Sequence, residues 1–190
     1  MKIGIPREIK VKESRVACTP GGVYMLIESG HEILIEKSAG AESGFYDDQY
    51  IKAGARIVPT AEDAWATDIV IKVKETMKNE YRYLRPGLSL FTYLHLAADK
   101  ILTQKLVETK TTGIAYETIQ VGRRLPLLEL MSEIAGRMSS IVGANYLSKA
   151  HGGTLAEAAM KVTRLLANNP RINTITSMSC NGFGTTLKTL

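Results

Sequence analysis

The feature that most constrains this chain is its cadence: short runs rich in Ile, Val and Leu recur between helix start and stop signals, with only brief connections between them. Lys2 to Ile5 reads as a strand. Thr19 then reads as a helix N-cap with Pro20 at the first helical position and Gly30 as the stop. The pattern repeats with His31 to Glu36 as a strand, Asp47 to Ala53 as a short helix closed by Gly54, and Arg56 to Val58 as a strand before a cap at Thr60. Asp68 to Lys74 predicts a strongly apolar strand, Leu88 to Tyr93 a buried one, Asp99 to Glu108 a helix and Gly113 to Glu117 a further strand. Such alternation predicts an α/β fold, a mostly parallel sheet flanked by helices.

After Leu130 the chain enters its longest helix signal, Ser132 to about Leu147, with Ile134, Met138, Ile141 and Val142 on one face and Ser132 as the expected N-cap. From Gly152 the composition changes to a Thr- and Asn-rich stretch whose only acidic side chain is Glu157. Thr154 and Glu157 have capping-box spacing ahead of an amphipathic run ended by Asn169 and Pro170. The expected organisation is a catalytic or substrate domain over 1–130, a linking helix over 131–150 and a divergent tail over 151–190.

Composition excludes several classes. With 45% hydrophobic and 23% charged residues over 190 positions, the chain can bury an ordinary globular core. Its net charge of +5 is not organised into a stripe, and aromatics do not interleave with basic residues, so no nucleic-acid partner is expected. Pro6, Arg7 and Glu8 interrupt the opening before a signal-peptide core can form, and no apolar run could span a bilayer. A cytoplasmic protein with no membrane partner is the expectation. Cys18 and Cys180 stand apart without a second thiol or histidine nearby, which predicts two reduced thiols and no metal site.

In open parallel sheets, ligands settle beyond the carboxyl ends of the strands. That rule selects Arg15 in the loop after the first strand, Lys72 and Lys74 at the end of the fourth, and His95 directly after LFTY. An arginine fork matches a carboxylate with two parallel hydrogen bonds, and a lysine can polarise a neighbouring carbonyl oxygen. An imidazole with an unperturbed pKa of about 6.5 can exchange a proton near neutrality. The expected ligand is a small keto acid or amino acid. Asn181-Gly182-Phe183-Gly184 is the one cluster resembling a phosphate cradle, but the third glycine of a dinucleotide turn is replaced by Leu187, so a simple turn is the better reading.

Taken in order, IGIPREIK, ESRVACTPGGV, SGFYD, IKVKE, LFTYLHLAA, IAYET, LPLLELMSEIAGRM and GANYL resemble the alanine dehydrogenase family up to about Gly153. The resemblance implies a Rossmann-like catalytic domain in which Arg15 and Lys74 hold the substrate carboxylate and carbonyl and His95 acts as general acid and base. It implies that Met131 and Ser132 border the nicotinamide side of a bound NAD, that L-alanine and pyruvate are the substrate pair, and that subunits form a homo-oligomer, in this family a hexamer. It also implies that the second, dinucleotide-binding domain is largely missing from these residues, leaving a truncated chain. The soluble domain of proton-translocating transhydrogenase begins similarly and is the runner-up. A non-catalytic module that binds keto acids or assembles with a longer homologue is the third reading.

Overall fold

The structure, a computed structural model, describes residues 1–147. It divides into two units, Met1–Thr118 and a second beginning at Ile119. The first holds six strands: β1 (Lys2–Ile5), β2 (Glu32–Glu36), β3 (Arg56–Val58), β4 (Ile69–Ile71), β5 (Ser89–Thr92) and β6 (Thr112–Ala115). All pair in parallel, in the order β3-β2-β1-β4-β5-β6. This is the α/β, Rossmann-like sheet that the alternation of elements predicts. Four helices accompany it: α1 (Pro20–Glu28), α2 (Asp47–Lys52), α3 (Ala61–Trp65) and α4 (Lys100–Thr109).

Sheet register explains how the helices divide between the faces. Gly4 sits opposite Leu34 on one side and Val70 on the other, and Val70 opposite Leu90, so these residues share a face. Leu34 packs with Ala64 of α3, and Val70 and Leu90 pack with Leu102 and Leu106 of α4. The alternate residues Ile3, Ile5, Ile33 and Ile35 pack with Val23 of α1 and Tyr50 of α2. Each face is therefore covered, as an all-parallel sheet requires. Gly4 marks the closest approach: a Cβ there would lie 1.7 Å from the carbonyl oxygen of Ala64, so no larger residue fits between β1 and α3.

Local chemistry sets the helix ends. The Thr19 hydroxyl accepts from the N–H of Gly22 with Pro20 in the first turn, and Asp99 accepts from the N–H of Leu102 at the start of α4. Gly54, just past α2, takes φ +95°, the left-handed conformation that favours glycine.

Two expectations are corrected. The fourth strand stops at Ile71 and does not run to Lys74, because the backbone of Val73 and Lys74 turns to meet the carboxylate of Glu8. The long helix, α5, spans Pro126–Leu147, and Ser132 is an interior residue whose hydroxyl donates to the carbonyl of Leu128 at 3.1 Å. Proline supplies the start instead: its fixed φ suits a first turn, where its missing N–H costs nothing. Leu130, Ile134, Met138 and Ile141 of α5 are exposed in the structure, at 49–71%. The Thr154 helix, the Asn181 glycine cluster, Cys180 and the tail over 151–190 lie outside the described residues.

Candidate active site

The strand order reverses between β1 and β4, whose connections lead to opposite sides of the sheet, and the crevice outside their carboxyl ends is where a doubly wound fold receives its ligand. Nucleotide-binding sheets put a glycine-rich turn after the first strand so that backbone can approach phosphate. Here that position carries Pro6, Arg7 and Glu8, and α1 begins only at Pro20. The crevice is accordingly furnished by charged side chains on a long loop. Among the described residues no tight glycine turn follows the first strand.

Two clasps join the loops that follow β1 and β4. The Oε1 of Glu8 accepts from the N–H of Val73 at 2.6 Å and from that of Lys74 at 3.4 Å, while Lys10 pairs with Glu75. Burial raises the Glu8 carboxyl above its ordinary range, although Lys72 and the two amides oppose the rise. A third tie comes from β5, where the buried Thr92 donates its hydroxyl to the carbonyl of Lys74 at 2.8 Å. Lys74, partly buried, is thus fixed through its backbone from both neighbouring strands.

Lys72 belongs elsewhere. Sequence alternation places it beside Lys74 in a cationic pocket, but it is fully buried with Nζ paired to Glu80 and 3.6 Å from Glu8, over the ring of Trp65 at 5.8 Å. It follows Val70 on the α3 and α4 face, where two carboxylates neutralise it. Its charge is part of the core and is not available to a ligand.

Arg15 is exposed in the loop between β1 and α1 and meets Glu13 through a bidentate fork: Nε to Oε1 at 2.7 Å and Nη2 to Oε2 at 2.6 Å. The fork lowers the Glu13 carboxyl, with Lys74 contributing in the same sense. The guanidinium also acts on Tyr93, lowering its phenol against a larger upward push from burial.

His95 is exposed three residues beyond the end of β5. Its backbone takes φ +50°, and the Glu117 carboxylate holds it there by accepting from its N–H at 2.7 Å and from that of Leu94 at 3.1 Å. Its ring stacks on Tyr93 with centroids 6.0 Å apart, and Tyr93 meets Tyr116 edge-on at 5.0 Å. Burial pushes the Tyr116 phenol up, so the wall behind the imidazole is aromatic and uncharged near neutrality.

Three predicted residues, Arg15, Lys74 and His95, thus follow three successive neighbours in the sheet, β1, β4 and β5, at the same edge. Met131 and Ser132 lie on α5 in the other unit, both partly buried. Sequence reasoning passes over Glu8, Glu13 and Glu117, the carboxylates that hold the loops. A signal is present for Glu8 and Glu13, which share the loop after β1 with Arg15; Glu117 lies after β6, 22 residues from His95, and carries none. A cleft of about 320 Å³ lined by Glu75, Thr76, Met77, Asn79 and Ile101 borders the same region without including Arg15, Lys74 or His95. Lys78 and Asp99 also line it.

Comparison with known proteins decides the family. Residues 4–135 match the family described as alanine dehydrogenase/PNT, N-terminal domain. The chain belongs to this family. It is 57% identical over 155 residues to an alanine dehydrogenase of Geobacillus stearothermophilus, covering 80% of this chain and 42% of that one. Alanine dehydrogenase 2 of Staphylococcus aureus (strain USA300) is 56% identical over 154 residues, at 80% and 41% coverage. A solved L-alanine dehydrogenase superposes with a TM-score of 0.79 at 49% identity, covering 80% of this chain and 43% of that one. A transhydrogenase from Sinorhizobium meliloti superposes at 0.70 with 26% identity, at 76% and 44% coverage. The chain spans about two-fifths of the length of these relatives. No described helix is long and apolar enough to cross a membrane.

Proposed function

We propose that this chain is the substrate-binding part of an alanine dehydrogenase and that its strand-end crevice takes pyruvate and L-alanine. The observation that carries the reading is that Arg15, Lys74 and His95 stand on the loops after the neighbouring strands β1, β4 and β5. In it, the Arg15 fork fixes the plane of the substrate carboxylate, and Lys74 polarises the carbonyl oxygen of pyruvate. His95 holds the proton that the substrate oxygen or nitrogen gains and loses. Tyr93, braced by Tyr116, covers one face of the imidazole and sets its orientation.

NAD enters the reading through the family, where it supplies the hydride acceptor and donor. Met131 and Ser132 are proposed to border its nicotinamide, and no residue of the described chain is proposed to hold its pyrophosphate. The greater identity to alanine dehydrogenases than to transhydrogenase supports amino-acid chemistry as the main reading. A cytoplasmic homo-oligomer is part of the same proposal.

The test is calorimetric titration of the 190-residue chain with pyruvate and, in parallel, with acetone, which lacks the carboxylate. Pyruvate should bind and acetone should not. Arg15→Met should weaken pyruvate by roughly tenfold or more, as expected for losing a charge-assisted fork. Pyruvate affinity unchanged by Arg15→Met would overturn the reading.

A further inference from the structure

Glu13 occupies the Arg15 fork. Its carboxylate takes the Nε and Nη2 edge of the guanidinium at 2.7 and 2.6 Å, and Oε1 also accepts from the N–H of Arg15 at 3.1 Å. The Glu13 side chain is only 8% exposed, against 43% for Arg15, so the acid is the inner member of the pair. It lies within the influence of Lys74 as well, which helps keep it ionised. An anion is therefore already paired with the cation proposed for the substrate carboxylate.

The space left beside it is small. The cavity that Arg15 and Glu13 line together with Arg7, Glu8 and Ser14 measures about 20 Å³, which is room for about one water and not for a keto acid. A second carboxylate brought onto the same guanidinium edge would meet Glu13 at contact distance, and two like charges so close do not both remain ionised. Glu13 has to withdraw before a substrate carboxylate can take its place.

The loop is built to let it. Lys10 is anchored through its pair with Glu75, and the carbonyl of Ser14 is held by the Ser43 hydroxyl at 2.6 Å. Between these anchors Val11 is 86% exposed and Lys12 takes φ +65°, an unfavourable conformation for a lysine. The turn is closed by the Glu13 N–H donating to the carbonyl of Lys10 at 3.0 Å, so withdrawal of the Glu13 side chain by rotation about its own side-chain torsions leaves both anchors in place.

We infer that Glu13 is a resident carboxylate in the substrate seat, an internal competitor that the carboxylate of the incoming keto or amino acid must displace from Arg15. This rests on the proposed role of Arg15. It makes observed affinity the difference between two carboxylate contacts, so that the site discriminates against weak anions such as acetate that cannot also engage Lys74.

The experiment is calorimetric titration of the full 190-residue chain with pyruvate for wild type, Glu13→Gln, Glu13→Ala and Glu13→Gln/Arg15→Met, with thermal unfolding to show that each is folded. Both single variants should bind pyruvate roughly fivefold tighter, the scale expected for removing a partly exposed competing ion pair, and the double variant should lose the gain. Binding seen in Glu13→Gln alone would also support the inference. Equal or weaker binding in both folded single variants, with wild-type binding intact and dependent on Arg15, would overturn the inference and make Glu13 a positioning residue, leaving the proposed function standing. Absence of pyruvate binding in every variant would overturn both.

Discussion

The Glu117 carboxylate fixes His95 through its backbone: Oε1 lies 2.7 Å from the His95 nitrogen, and the residue so held has φ +50°. The same carboxylate takes the N–H of the buried Leu94, so the turn that aims the imidazole depends on one acid contributed by the segment after β6. Replacing Glu117 by Ala strands a buried donor and releases a non-glycine residue from left-handed backbone. The expected cost is roughly 2–3 kcal/mol in urea unfolding. A loss below about 0.5 kcal/mol, the scale of an unremarkable surface change, would show that the turn does not depend on Glu117.

Lys72 makes a different prediction, because its charge is wholly interior and balanced by Glu8 and Glu80. Lys72→Met keeps the length of the side chain but leaves two carboxylates without their cation. Breaking a buried pair in this way costs roughly 3–5 kcal/mol, and chemical denaturation should register it. Adding Glu80→Gln to Lys72→Met should return part of that loss. If Lys72→Met alone is neutral, the buried network is not holding β4 to the loops after it.

The misplacement of Lys72 by sequence reasoning has an identifiable cause. Alternation correctly indicates that Lys72 shares a face with Val70, but which face is solvent and which is core depends on Glu8, distant in sequence, and on the packing of Trp65. Strand end and charge partner are both tertiary facts. Ser132 misleads for a local reason: a serine before an apolar run satisfies the rule for a cap, while Pro126, six residues earlier, is the stronger start signal. By contrast, β1, β3 and the start of α1 were legible because Pro20, Thr19 and the β-branched runs act within a few residues of themselves. That Arg15, Lys74 and His95 follow strands of one sheet at the same end is legible because all strands of a parallel sheet end on one side whatever the loops contain. The carboxylates that position them were not, since an acid in a loop looks solvated until its backbone partners are known.

Tyr50 ties stability to alkaline pH. Its ring is fully buried and its hydroxyl donates to the carbonyl of Cys18 at 2.8 Å, and burial pushes its phenol up to about 12 from an ordinary value near 10. Between those values the folded chain keeps a proton that the unfolded chain has lost. Stability from this group is therefore complete below pH 10 and falls away as pH rises towards 12. Tyr50→Phe should cost about 1 kcal/mol at neutral pH, the scale of one hydrogen bond, and should show a shallower loss over the alkaline range. Parallel pH profiles for the two proteins would mean that the phenol does not stay protonated in the fold.

The most direct test of the central claim is a map of where pyruvate sits, read from backbone amide shifts in the nitrogen-15 spectrum of the chain as pyruvate is added. The account predicts shifts at Glu13 to Arg15, at Val73 to Glu75 and at Leu94 to His95, three segments brought together only by the β1, β4 and β5 edge. Shifts confined to Met77, Asn79 and Ile101, which line the neighbouring cleft, would contradict it and move the site away from Arg15.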